Sequence, residues 1–191
     1  MMKLEPTASE DHAVVGGVVW ITGLSGSGKS ATAKHLALLL KSNQQPVLLL
    51  DGDELRAVFE PLIDREKSFE PGARMMLATT YSNLCNLLAR QGFNIVIATI
   101  SLFDEIHALN RLTMPNYFEV YLDVPLEVLK QRDVKGIYEN FQQNRLFNVV
   151  GGDIKFHIPK NLDLIINYHP DDTPESNAAK IFELIQERPT V

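Results

Sequence analysis

Residues 14 to 30 read VVGGVVWITGLSGSGKS, and the reading of this stretch decides the fold. Val14 to Thr22 is rich in β-branched residues and runs into glycine, the pattern of a buried strand. From Gly28 onward, KSATAKHLALLLK is built of helix formers and closes at Ser42, Asn43 and Pro46, as a helix before a turn does. Between the two stands Gly23-Leu24-Ser25-Gly26-Ser27-Gly28-Lys29-Ser30, which fits G-x-x-x-x-G-K-[ST], a phosphate-binding P-loop. Glycines at this spacing let successive backbone N–H groups turn inward onto an anion, and the helix N-terminus adds positive potential. Gly23, Ser25, Gly26, Ser27 and Gly28 are therefore expected to cradle a nucleotide phosphate, Lys29 to reach its β- and γ-phosphates, and Ser30 to ligate Mg²⁺. With this chain's own residue frequencies, a chance match to the motif is expected in only about 0.3% of such sequences.

Working outward, PVLLLD at residues 46 to 51 is another short, nearly all-apolar strand, as a parallel sheet covered on both faces requires. Residues 72 to 91 place Leu77, Tyr81, Leu84, Cys85 and Leu88 on one helical face before Gly92. Asn94 to Ile100 is a third strand, Phe103 to Leu112 a helix, Tyr117 to Asp123 a fourth strand, and Pro125 to Gln131 a helix opened by proline. Leu164 to Asn167 is a fifth strand. Thr173 caps a last helix with Pro174 at its first position and Ala178, Ile181, Phe182 and Ile185 facing inward. The prediction is an α/β chain of the P-loop NTPase fold, with a five-stranded parallel sheet flanked by helices. Residues 1–13 read as a flexible arm and 14–191 as the domain. Residues 133–160 are mixed, partly basic and glycine-punctuated, and read as a lid that closes over phosphate and bases.

The 191 residues suit one domain, and 45% apolar with 22% charged residues is ordinary globular composition. A net charge of −6 argues against a nucleic-acid or basic membrane-surface partner. The polar, acidic start MMKLEPTASEDH does not look like an export signal, no apolar run approaches the ~20 residues of a spanning helix, and the chain is read as cytoplasmic. A homodimer is compatible with the sequence, because an apolar dimer face would look like the helix faces already given to the core.

At the carboxyl end of the second strand comes Asp51-Gly52-Asp53-Glu54-Leu55-Arg56. In a parallel sheet this end faces the ligand crevice, so Asp51 and Asp53 are expected near the γ-phosphate. One of the two would organise metal-bound water, and the other would accept the proton of an attacking hydroxyl. The plainer alternative is a turn whose Asp53 caps a helix. No D-x-x-G switch follows a strand and no N-K-x-D guanine reader is present, so a GTPase fits poorly. A small-molecule kinase fits better; a nucleotide-binding protein without catalysis is the competing class.

GLSGSGKSATA at 23–33, LLLDGDELR at 48–56, RDVKGIY at 132–138 and the glycine turn after it resemble the adenylylsulfate kinase family, over roughly residues 18 to 168. The family's segments read GLSGSGKST, LDGDNxR, ISPFR, RDPKGLY and NFTG. The resemblance implies phosphorylation of a nucleotide 3′-hydroxyl by MgATP, with adenylylsulfate or a related activated nucleotide as the small-molecule acceptor. It implies that Asp53 engages the acceptor hydroxyl, Arg56 its anionic tail, Lys135 a nucleotide phosphate, and that Ile100-Ser101 takes the place of the ISPFR start. Arg132 opens the lid and would neutralise the transferring phosphate. Departures bear on the acceptor. Asp104 stands where ISPFR has arginine, Leu77 to Thr80 replaces a segment carrying two arginines with only Arg74 nearby, and Val149 replaces a base-stacking aromatic. TISLFDEIHALNR at 99–111 and NVVGGDI at 148–154 look like a branch acting on cytidine diphosphoramidate in capsule phosphoramidate biosynthesis.

The remaining residues are given modest roles. The histidines (His12, His35, His107, His157, His169) are scattered and predict no metal site; His157, on the lid, is the one with a phosphate in reach. Cys85 and Trp20 read as core, Glu54 as a first-turn helix charge, and Asp64 to Lys67 as a solvated charge run. Phe141 and Phe147 are open between clamping a base and packing the lid.

Overall fold

Every residue of β1 (Val18–Thr22) is buried, because the strand lies at the centre of the sheet with helices on both sides. Strand alternation sends Val18 and Trp20 to one face and Val19 and Ile21 to the other. The first pair packs with Leu77, Tyr81 and Cys85 of α3 (Pro71–Ala89) and Ile106 of α4 (Asp104–Thr113). The second pair packs with Leu36 and Ala37 of α1 (Lys29–Ser42) and Ala178 and Ile181 of α7 (Pro174–Gln186). The computed structural model describes residues 15–63, 69–133 and 135–188; the expected arm at 1–13 and the charge run at 64–67 lie outside the described residues.

The sheet contains β2 (Val47–Asp51), β3 (Asn94–Ala98), β1, β4 (Tyr117–Asp123) and β5 (Leu164–Asn167) in that spatial order, all parallel. The loops after β1, β2 and β3 therefore emerge at one edge of the sheet, the carboxyl end, where open α/β sheets bind ligands. Thr173 caps α7 through its side chain with Pro174 at the first position, as the sequence predicts. Leu36 is fully buried between α1 and the sheet. Leu36→Ala is expected to lower the unfolding free energy by about 2–5 kcal/mol in urea titrations; a loss under ~1 kcal/mol would mean that this layer does not hold the fold.

Several boundaries differ from expectation for identifiable reasons. β1 starts at Val18 rather than Val14: Gly16 donates to the Ala89 carbonyl at the end of α3, and its position tight against Phe93 leaves no room for a side chain. β3 ends at Ala98 rather than Ile100, where Thr22 Oγ1 donates to the Ile100 carbonyl (2.6 Å) and the Thr99 and Ser101 hydroxyls bond each other (2.9 Å). α5 (Leu126–Arg132) begins one residue late, with Pro125 as its N-cap. The helix read after Asp51-Gly52-Asp53 is present as α2 (Gly52–Phe59), followed by a 3₁₀ turn at Glu60–Leu62, whereas one short helix was not expected, α6 (Ile137–Gln142) inside the 133–160 segment. That segment is not irregular throughout. Asp133 accepts from the N–H groups of Tyr138 and Glu139 and so caps α6, and a third apolar cluster around Leu129, Tyr138 and Val149 seats it on Leu24 and Leu102.

Candidate functional site

The P-loop bends between β1 and α1 with Gly28 at φ 93°, a left-handed conformation that glycine adopts freely and that places it as the N-cap of α1. Lys29 is buried and folds back over the loop, its Nζ donating to the Leu24 carbonyl (2.7 Å) and lying 3.5 Å from Ser27 Oγ. Burial, reinforced by the charge of Lys135 and opposed by Asp53 and Asp51, lowers its pKa to about 8.

Asp51, not Asp53, is the cap of α2. Its Oδ1 accepts from the Asp53 N–H (2.8 Å) and its Oδ2 from the Ser30 hydroxyl (2.5 Å), joining the end of β2 to the start of α1. Gly52 sits in close approach: a Cβ there would stand 3.0 Å from Thr99 Oγ1 and 3.1 Å from the Ala98 carbonyl, so a side chain would press on both. With the capping position taken by Asp51, the Asp53 carboxylate is left to point outward. It is 70% exposed and ion-paired with Lys135 Nζ from the segment opposite. Two carboxylates and two ammonium groups thus meet at the mouth of the P-loop.

A cavity of about 930 Å³ opens from this point. Ser25, Gly26, Gly28, Lys29 and Ser30 form one side, and Asp51, Asp53 and Arg56 another. Arg74, Ile100, Ser101, Lys135 and Val149 complete the sequence-predicted set around it. Ser27 and Arg132 instead line a second cavity of about 270 Å³, where the Arg132 guanidinium lies 5.0 Å from the centre of the Tyr168 ring. Gly23 lines neither and packs against the Leu122 carbonyl, which a Cβ would meet at 2.8 Å.

Sequence reading missed Phe69. Its ring lies on the large cavity with the Arg56 guanidinium at 4.7 Å and that of Arg74 at 5.4 Å. Arg74 also donates to the Phe69 carbonyl (2.7 Å) and the Asn148 carbonyl (2.6 Å), so it ties the aromatic to the 148–151 turn. Burial and the neighbouring charge of Arg56 lower its pKa to about 10, which leaves it charged at neutral pH. Although burial acts in the opposite direction, the N–H groups of Asn148 and Val149, with Arg74 beyond them, hold the Asp153 carboxyl below its ordinary range. Tyr138 donates to the Ser25 carbonyl (3.1 Å) and binds α6 directly to the P-loop.

Of the two ambiguous aromatics, Phe141 packs in the third cluster against Gly152, whereas Phe147 is 61% exposed on the cavity wall. His157 stands 3.5 Å from Asp104, and both line the same cavity. His107 is buried beside Glu119, and Trp20 is core. Burial pushes the Cys85 thiol up to about 12, the behaviour of an inert core residue. Among the described residues no three His, Cys, Asp or Glu side chains converge on a metal position, and no helix is long and apolar enough to cross a membrane.

A P-loop, two acidic positions at the end of the second strand and a capped segment bound to the loop make a phosphoryl-transfer site without saying whose. The family model described as adenylylsulphate kinase matches residues 15–167. A cytidine diphosphoramidate kinase of Campylobacter jejuni is 36% identical over 150 residues, 78% of this chain and 85% of its own. An adenylyl-sulfate kinase of Gloeothece citriformis is 31% identical over 161 residues, 84% of this chain and 89% of its own. The solved structure of the Mycobacterium tuberculosis APS kinase CysC in complex with AMPPNP and APS aligns with a TM-score of 0.82 at 31% identity, covering 91% of this chain and 99% of that one. The geometry of the P-loop cavity and these matches along nearly the whole chain agree: the chain belongs to the adenylylsulphate kinase family and is an ATP-dependent nucleotide kinase.

Proposed function

We propose that this chain transfers the γ-phosphoryl group of MgATP to the 3′-hydroxyl of adenylylsulfate or a related activated nucleotide, with residues 133–160 acting as the lid. The observation that carries this is the Asp53 carboxylate, left uncapped at the start of α2 and set on the same cavity as the P-loop lysine. Asp53 takes the proton as the acceptor O–H bond breaks, the acceptor oxygen bonds to Pγ, and the bond from Pγ to the β-phosphate oxygen breaks to leave ADP. For Asp53 to receive that proton, Lys135 must leave it, and an incoming phosphate offers the ammonium a better partner. The N–H groups of residues 26–30 and Lys29 hold the donor phosphates.

The donor set at Ser30 and Asp51 fits Mg²⁺. Both are hard oxygen ligands, already 2.5 Å apart, and this ion keeps water and phosphate oxygens for most of its octahedron, so few protein ligands are needed. Bound there, it would supply charge neutralisation at the β- and γ-oxygens. Arg56, Arg74 and Phe69 form the acceptor wall: the two cations suit a diphosphate-like tail, and the ring offers a stacking face to a base.

Cytidine diphosphoramidate as the related nucleotide is a second reading with observations of its own. Val149 is small and buried in the third cluster, so the cavity offers Phe69 without an aromatic at position 149. Asp104, paired with His157, puts a carboxylate on the cavity wall, where it suits an N–H-bearing tail better than a sulfate, which has only acceptors. ADP release is to be followed with MgATP and adenylylsulfate, cytidine diphosphoramidate or no acceptor. At least one acceptor is expected to raise the rate ~10²-fold or more above the acceptor-free rate. A higher kcat/KM for the cytidine compound would establish the second reading; no stimulation by either would overturn the proposal.

A further inference from the structure

The turn that follows Phe147 has its backbone fixed from two sides. Asn148 is left-handed, at φ 60°, a conformation uncommon for any residue but glycine. Its N–H and that of Val149 both donate to the Asp153 carboxylate (2.8 and 2.6 Å), and its carbonyl accepts from Arg74 of α3 (2.6 Å). The left-handed residue parts its two neighbours. Val149 goes down into the third apolar cluster, whereas Phe147 stands exposed on the wall of the large cavity. A single exposed phenylalanine is ordinary on a protein surface; this one is held on a cavity wall by a residue in a sparsely populated conformation and the hydrogen bonds around it. Arg74 also lies 5.4 Å from the centre of the Phe69 ring and donates to the Phe69 carbonyl, so one guanidinium ties both aromatics to the same wall.

We infer that Phe147 binds the base of the acceptor nucleotide, adding a second aromatic face to the one that Phe69 offers, and that the turn clamped by Asp153 sets it there. This rests on the reading that the acceptor occupies the wall of Arg56, Arg74 and Phe69. The NFTG pattern carries its aromatic at the position of Val149, and here that side chain is sealed in the cluster. Phe156, another aromatic of the segment at this cavity, packs in the same cluster. The ring left free for a ligand is therefore two residues earlier than the pattern places it. Stacking uses the π face that every base has, so Phe147 supplies affinity for the acceptor without reading the hydrogen-bonding edge of its base. Its loss falls on the acceptor and leaves the P-loop contacts of the donor in place.

Initial rates are to be measured against adenylylsulfate and cytidine diphosphoramidate at saturating MgATP for the wild type, Phe147→Ala, Phe147→Leu, Phe147→Tyr and Phe69→Ala. Phe147→Ala is expected to raise KM for the accepted nucleotide ~5- to 150-fold, with KM for ATP within ~3-fold. Phe147→Leu keeps apolar bulk without a ring and should behave as the alanine variant, whereas Phe147→Tyr keeps the ring and should restore the acceptor KM. A leucine variant with the wild-type KM would make Phe147 a packing residue of the lid and end the inference. If Phe69→Ala raises the acceptor KM and Phe147→Ala does not, the role of Phe147 falls alone; if neither raises it, the base lies elsewhere and the acceptor wall falls too. Binding is read without turnover in Phe147→Trp with ADP bound. Titration by at least one of the two nucleotides is expected to quench its fluorescence beyond any change in the wild type, whose one tryptophan, Trp20, is core. No quenching by either nucleotide also defeats the inference.

Discussion

Asp53→Ala is expected to lower turnover with acceptor by at least ~10² while leaving the affinity for ATP within a few-fold. The asymmetry follows from position. Asp53 touches neither the P-loop backbone nor Lys29; its partner is Lys135, and its carboxylate faces the cavity where the acceptor hydroxyl must come. In the proposed mechanism it therefore acts on the proton of the acceptor and not on the phosphates of the donor. Its negative charge does raise the Lys29 pKa, so its removal lowers that value below about 8, and the comparison of ATP affinities belongs at pH 7 or lower. Asp53→Asn, which keeps the shape and loses the proton acceptor, is expected to match the alanine variant. The Asp53–Lys135 pair is largely exposed, so both variants should keep their stability within ~1 kcal/mol. Steady-state kinetics with saturating acceptor, beside equilibrium ATP binding, decide the matter. Unchanged turnover would remove Asp53 from the proton transfer, and a large loss of ATP affinity would assign it to the donor instead.

What could be read from the sequence was whatever depends on neighbours along the chain. The P-loop is one continuous segment whose glycines act through their backbone and whose lysine and serine are adjacent in the chain, so Gly28 and Lys29 are identifiable from spacing alone. The central strands β1, β3 and β4 are buried on both faces, and the edge strands β2 and β5, though partly exposed, keep the same apolar run. Asp51 and Asp53 were legible as a pair because they end a strand, but which of them caps α2 was not. That is decided by the Ser30 hydroxyl reaching across from α1. α6 escaped notice because it has six residues and buries a single side chain, Tyr138, too few for a periodic signal, and α2, which buries only Leu55, was legible only at its first turn. Phe69 had no signal at all: its meaning comes from Arg56, Arg74 and Asn148, which only the packing brings together.

Lys29→Met is expected to damage both steps, weakening ATP binding by ~10-fold or more and lowering turnover by a further ~10². The ammonium contacts charge that is present in bound ATP and grows at the γ-phosphoryl oxygens during transfer, so its loss appears in affinity and in rate. The variant should nevertheless be at least as stable as the parent in the absence of nucleotide. Burial lowers the Lys29 pKa in the folded chain from 10.5 to about 8, so between these values the unfolded chain binds the extra proton, and this group makes stability rise with pH across that window. Below pH 8 the folded chain carries the full cost of a buried ammonium, which methionine does not impose. An equal or higher melting temperature at pH 7, together with the kinetic loss, separates a missing charge from a damaged fold. The same value predicts the pH profile of the wild type: kcat/KM for ATP should fall above pH about 8, where empty enzyme must take up a proton to bind phosphate, and Lys29→Met should lack that limb. A profile flat to pH 10 would mean that the ammonium is not the group that meets the phosphates.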